Sequence, residues 1–342
     1  MEPSSLNQTF SYTEFILFAF PGVSTSRYLL AIPFSSIYII ILISNSTIIC
    51  QIIMEKTLHT PMYILISLLL SVNLTCSTSL LPKMILSFFG VNQISLFGCL
   101  AQMFSVYSCI MMESILMLLM AFDRYIAITR PLHYWEIITK NLLVTFSING
   151  LIRNCFLVFP LVILSASMRY CKSNIIPHFH CENQVLLQLA CGDISKNLVT
   201  GLFVRTFITV CDVTIIIISY LQILQTAMKI AAGSARKKAL HTCSTHIMVV
   251  ITTYLTGLLA SILYFISSTI SYNVQNLCSA VNFLFPPTVN PFIFGLRITK
   301  IKESLLKPWR KKSKAILIRP TPNNIMMGYE QGRTKKDVHL PA

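Results

Sequence analysis

The segment MAFDRYIAI (120–128) sets Asp123 beside Arg124 at the end of an almost uncharged run, LAQMFSVYSCIMMESILMLL. Opposite charges side by side are either a stop signal at a bilayer surface or a latch, in which Asp123 holds Arg124 until a better partner arrives. Ten residues earlier Glu113 stands among apolar neighbours, about 15 Å away along a helix rising 1.5 Å per residue. Similar apolar runs carry Asn73, Arg153, Asn154, Arg205, Asp212 and Asn290. If those runs cross a membrane, each polar group is expensive and marks a binding or switching site unless a neighbouring helix satisfies it. Interhelical hydrogen bonds explain the asparagines about as readily as a functional role does. Arg205 is the sharpest of the set, because a buried guanidinium needs a partner of opposite charge. That partner is a ligand carboxylate, sulfate or phosphate held bidentately, or it is internal: Asp193, Glu182, or a carbonyl reached by the long stem.

The elements that position these groups follow from composition. Of 342 residues 54% are hydrophobic and 11% charged, against about 25% charged in an ordinary soluble domain. The apolar excess comes in blocks of about 20 residues or more, the length of a helix across a ~30 Å hydrocarbon layer. Seven blocks are legible, at about 28–54, 61–89, 99–122, 141–166, 197–228, 241–268 and 274–296. The fourth is the weakest, since it contains Arg153 and Asn154. The alternation of a membrane β-barrel is absent. The expected fold is therefore an all-α membrane protein, a seven-transmembrane helix bundle over 28–296.

Charge gives the orientation. From Arg297 onward there are 12 Lys or Arg against three acids, and Lys229, Arg236, Lys237 and Lys238 crowd between blocks five and six. Cationic loops stay cytoplasmic, so residues 1–27 are expected to be extracellular and the carboxyl end inside. Asn7, in NQT, is then a glycosylation acceptor. Residues 297–314 should form a short amphipathic helix on the inner membrane surface, with Ile298, Ile301, Leu305 and Leu306 on one face. The basic tail 315–342 reads as disordered. Basic runs in such a chain point to anionic membrane lipids, not to nucleic acid. There is no HExxH, no nucleophile–base pair and no internal repeat, which argues against an enzyme and a transporter.

The stretches LHTPMY (58–63), MAFDRYIAITRPLHY (120–134), SY (219–220), KALHTCSTH (238–246) and NPFIFGLR (290–297) together resemble odorant receptors, a branch of the rhodopsin-like G-protein-coupled receptors. ISLFGCLAQMF with MES in block three, and SNIIPHFHC in the outer loop, resemble the fish-like first class of that branch. The resemblance covers about residues 10–305. It implies a plasma-membrane receptor for a small-molecule odorant, coupled to a heterotrimeric G protein of the stimulatory olfactory type. A rhodopsin-like receptor for a non-odour ligand outside the olfactory tissue is the alternative.

The resemblance also assigns residues. It implies that Asp123, Arg124 and Tyr125 form the latch, with Arg124 turning to Tyr220 on activation, and that Asn290, Pro291 and Phe294 complete the switch. Phe294 departs from the family's tyrosine. It implies a ligand pocket of Tyr107, Ile110, Met111, Gln184, Arg205, Tyr254, Leu258 and Ser261, in which Tyr107 and Met111 lie one turn apart on one face. It implies disulfides Cys99–Cys181 and Cys171–Cys191. It places Asn73 and Glu113 in a polar core facing Asn290, where a sodium ion can sit near Glu113, although Asn73 replaces the usual aspartate. HFHC (178–181) has the donor types of a metal site, but with Cys181 oxidised no metal is expected there. No lysine in block seven offers a retinal linkage.

Overall fold

The computed structural model describes residues 11–23, 26–229, 233–265 and 270–307. Asn7 and residues 308–342 lie outside them. Seven helices among the described residues are long and apolar enough to cross a membrane. They are α1 (Ala31–Met54), α2 (Pro61–Phe88), α3 (Leu96–Thr129), α4 (Lys140–Ala166), α5 (Ser195–Lys229), α6 (Ser234–Phe265) and α7 (Tyr272–Arg297). Without water to hydrogen-bond the backbone, a lipid-crossing segment must pair its own N–H and C=O groups, as a helix does.

Each apolar block became one helix, but two ends differ from the hydropathy reading. The third helix does not stop at residue 122: it continues through Asp123 and Arg124 to Thr129, and the Arg130 N–H closes it on Ile126 O at 2.9 Å. The sixth begins at Ser234 and includes Arg236 and Lys237, which the charge pattern assigned to a loop. Charge ends an apolar run without ending a helix, because Arg and Lys are good helix formers. The Ser95 hydroxyl caps the start of α3 by accepting from the Gly98 N–H at 3.1 Å, satisfying one of the four orphan donors of that end.

At 34 residues, α3 is roughly 51 Å long. It runs through the centre, packed against α2, α4, α5 and α6, while α7 closes the bundle against α1, α2 and α6. The polar groups of the weak fourth block turn inward: Asn154 Nδ2 donates to Ser108 O of α3 at 3.2 Å. Large apolar side chains such as Ile43, Phe156 and Phe203 face outward and are mostly exposed. An apolar belt of this extent would drive aggregation in water and suits a hydrocarbon solvent.

On the amino-terminal face two small sheets build a lid. Strand β1 (Glu14–Leu17) lies between β2 (Gln93–Ser95) and, beyond β3 (Arg169–Tyr170), β4 (Ile175–Ile176); it is antiparallel to β2 and parallel to β4. The β3 strand pairs with β5 (Ala190–Cys191). Disulfides Cys99–Cys181 and Cys171–Cys191, with Cα separations of 5.3 and 5.8 Å, tie the 167–194 loop to α3 and to itself. Phe15, Leu17, Tyr170, Ile176 and Leu186 form a buried core under these strands, which holds a short helix, Asn183–Leu189, over the bundle mouth.

At the opposite face, residues 299–307 are helical. Ile301 is buried, Ile298 and Leu305 pack beside it, and Leu306 faces outward. Gln51 Nε2 donates to Ser304 Oγ at 2.5 Å, and Lys307 Nζ meets Glu55 Oε2 at 2.7 Å. The ammonium holds the Glu55 carboxyl below the usual range.

Candidate ligand cavity and switch

A cavity of about 280 Å³ opens between α3, α5, α6 and α7 beneath the Asn183–Leu189 helix. All eight residues named for the pocket line it: Tyr107, Ile110 and Met111 from α3, Gln184 from the lid, Arg205 from α5, and Tyr254, Leu258 and Ser261 from α6. The lid is fastened to α3 over this space. Tyr107 Oη accepts from the Asn183 N–H at 3.1 Å, and Gln102 Oε1 accepts from the Cys181 N–H at 3.0 Å.

The cavity is electrically two-ended. Toward the lid, Arg205 is exposed rather than buried as its place in an apolar run suggested; its Nη2 donates to Ser261 Oγ at 2.5 Å, and among the described residues no carboxylate lies within ion-pair distance of the guanidinium. Asp193, one candidate partner, instead accepts from the Ser195 N–H at 2.9 Å. Glu182 lines the same cavity; burial raises its carboxyl pKa, opposed by the Arg205 charge. Seven residues further along α5, about 10 Å deeper, Asp212 meets Arg153 Nη1 of α4 at 3.4 Å. Asp212 also accepts a hydrogen bond from the Ser114 hydroxyl of α3. Sequence reading found Arg153 and Asp212 separately; the spacing along the chain holds no signal that α4 and α5 set them opposite each other.

An ion pair here ties α4 to α5, and removing one partner leaves the other uncompensated. Since the Arg153 side chain retains 31% exposure, the expected cost of Asp212→Asn is modest, about 1 kcal/mol. Adding Arg153→Met to Asp212→Asn should recover most of it, and Arg153→Met alone completes the cycle. Thermal unfolding of the four forms in lipid nanodiscs tests this; additive single and double losses would show that the two side chains do not interact.

The polar core does not converge. Asn73 Nδ2 points to Asn45 Oδ1 at 3.5 Å, Asn45 Nδ2 donates to Pro287 O at 2.9 Å, and Glu113 accepts from Thr253 Oγ1 of α6 at 3.2 Å. Asn290 is fully buried with both amide atoms unpartnered. Asn73 and Glu113 both line the cavity with no hydrogen bond between them, and Asn73 supplies an amide where a second carboxylate would stand.

At the opposite end of α3, Arg124 Nη2 lies 3.1 Å from Asp123 Oδ2. The contact is an ion pair rather than an aligned hydrogen bond, since adjacent side chains on a helix point apart. Asp123 Oδ1 takes its aligned bond from Tyr134 Oη at 2.6 Å. Burial first, then the Asp123 charge, raise the Tyr134 pKa, so this phenol remains a donor at neutral pH. Tyr220 does not reach Arg124: its hydroxyl is hydrogen-bonded to His246 Nδ1, and the two rings stack with centroids 5.6 Å apart. Tyr125 is half-buried beside the pair, and Pro291 and Phe294 are buried in the core. Arg297 donates to Thr245 Oγ1 at 3.1 Å and Ser244 Oγ at 2.6 Å, clasping the end of α7 to α6. Tyr134, His246 and Arg297 all stood in the quoted family stretches, yet only contacts across helices gave them partners.

A family model described as olfactory receptor matches residues 34–312. Olfactory receptor 52K2 of Homo sapiens is 37% identical over 90% of this chain and 99% of its own length. Olfactory receptor 51E2 of Mus musculus is 32% identical over 87% of this chain and 93% of its own. The fold is also that of squid rhodopsin, with a TM-score of 0.66 at 16% identity, covering 91% of this chain and 92% of that one. The seven-helix bundle, the lidded cavity and these relatives agree: the chain belongs to the olfactory receptor family, multi-pass membrane receptors of the G-protein-coupled type and not enzymes.

Proposed function

We propose that this receptor binds a small anionic odorant in the cavity beneath the lid and activates a heterotrimeric G protein of the stimulatory olfactory type. Arg205 carries the reading. A guanidinium in a cavity wall, with a neutral hydroxyl as its hydrogen-bond partner, is a fixed positive charge awaiting an anion. The surrounding wall, with Ile110, Met111 and Leu258, is mostly apolar, as small-molecule sites are. The ligand is then a carboxylate with a short apolar body. Binding favours the arrangement in which Arg124 leaves Asp123 and α6 moves outward, so that a small bias swaps one partner for another.

The receptor is proposed to sit in the plasma membrane with its amino terminus outside. Arg130, Lys229 and Arg236 lie at the face opposite the lid, which the positive-inside rule assigns to the cytoplasm. Surface-tagged cells exposed to a panel of small acids, alcohols and amines test the function through cyclic AMP. Responses are expected for acids and not for amines of matched length. Responses confined to amines would overturn the anionic reading.

A further inference from the structure

The lid holds a group of side chains that the cavity chemistry leaves unused. His178, His180 and Glu182 each offer one donor atom, and these atoms all lie within 4.8 Å of one another. His178 is 3% exposed and His180 1%. The Nδ1 atoms of both are buried without a partner, a costly state for a polar atom. The imidazoles meet edge to face with centroids 4.6 Å apart. The intervening Cys181 is buried in the lid core, and the Phe179 ring lies against both imidazoles with centroids 4.8 and 4.6 Å away, so the three rings form one buried cluster. Cys181 is no donor, because its sulfur is bonded to Cys99; Glu182 supplies the third ligand that HFHC alone appeared to lack.

We propose that His178, His180 and Glu182 bind a divalent ion of the zinc type in the roof of the cavity, and that this ion and an anionic ligand on Arg205 bind cooperatively.

Two neutral imidazoles and one carboxylate are a donor set that zinc accepts, and three protein ligands leave a fourth position open. Bonds of about 2.1 Å put tetrahedral donors roughly 3.4 Å apart, so donor atoms now within 4.8 Å of one another must close by up to about 1.4 Å when the ion binds. Glu182 lines the cavity, as does Phe283, against which the His180 ring packs at 5.1 Å. The open position therefore adjoins the ligand space. Glu182 is also the carboxylate on which the Arg205 charge acts. An ion that takes Glu182 leaves Arg205 with less compensation and adds its own positive charge nearby. An anion is then favoured, and by thermodynamic reciprocity the anion must favour the ion equally.

The test uses the full chain in lipid nanodiscs, with zinc uptake measured by equilibrium dialysis and cobalt(II) as an absorbing probe. Uptake is read with no odorant present. One more equivalent of zinc is expected in the native chain than in His178→Gln/His180→Gln, with a cobalt ligand-field band that the variant lacks. Glu182→Gln, nearly isosteric, should weaken uptake at least tenfold. Free thiols such as Cys50 and Cys155 are exposed, but they are common to all variants and cancel in the comparison. His133→Gln, at an exposed pair with Glu136, should change nothing. Equal uptake in the native and double-variant chains, each retaining the Cys99–Cys181 bond, overturns the site. The coupling rests on the anionic reading of Arg205 and is tested separately. Zinc should tighten a bound carboxylate about fivefold in the native chain and not in Glu182→Gln. No tightening in a chain that takes up the metal overturns the coupling alone.

Discussion

Arg205→Ala is expected to shift the half-maximal response to a carboxylate odorant about 100-fold to higher concentration, at unchanged surface level. A hydrogen bond to a charged group contributes about 1.5–3 kcal/mol, and each 1.4 kcal/mol is tenfold in affinity. The guanidinium has no carboxylate in ion-pair range among the described residues, so its removal breaks no ion pair, and Glu182 loses only a charge acting from beyond that range; Ser261 still donates to Gly257 O at 2.6 Å. The loss should therefore fall on the ligand and not on the fold. Arg205→Lys keeps the charge but not the planar fork and should lie between the two. A neutral alcohol of matched length should be indifferent to the change. Diacids about 10 Å long, the span of seven helical residues, should be rejected, since their far end would approach Asp212. Concentration–response curves for an acid, its alcohol and a diacid decide the matter. An unchanged acid curve in Arg205→Ala would return this arginine to a structural role with Ser261.

What the sequence made legible was what one segment can show by itself. Seven apolar runs sufficed for seven helices, because hydrocarbon allows a lone segment no other structure. The cavity wall was legible through the family resemblance, and the eight residues do meet at one cavity. Three of the misses are properties of pairs. The Arg153–Asp212 ion pair spans 59 residues, Tyr220–His246 26, and Arg297–Ser244 53. Such pairs depend on helix rotation and neighbour order, which hydropathy does not encode. The end of α3 was missed for a different reason. Asp123 and Arg124 interrupt the apolar pattern, whereas the backbone ladder that defines the helix is indifferent to charge. Asn73 shows a third kind of gap. Its substitution was visible, but not that it would turn toward Asn45 while Glu113 turned to Thr253.

Arg124→Ala is expected to abolish the cyclic AMP response while leaving odorant binding within about threefold of native. The present arrangement is latched: Arg124 is held at Asp123, and Tyr220, its proposed active-state partner, is occupied by His246. Activation must break both contacts together, and each can be loosened separately. Asp123→Asn removes the charge that holds Arg124 but keeps an acceptor for Tyr134. His246→Phe preserves the stacked ring and frees the Tyr220 hydroxyl. If each contact biases the latch by about 1–2 kcal/mol, releasing it raises the active fraction some 5–30-fold while that fraction is small. Basal cyclic AMP should therefore rise in both variants, and the fold-increases should nearly multiply when they are combined while the active fraction stays small, because the two act on one equilibrium through different partners and their free energies add. Arg124→Ala placed on top of either should return basal activity to background, since the residue that must turn inward is gone. A basal rise that persists without Arg124 would mean that α6 opens by another route, and that the Asp123–Arg124 pair is a surface ion pair of small worth.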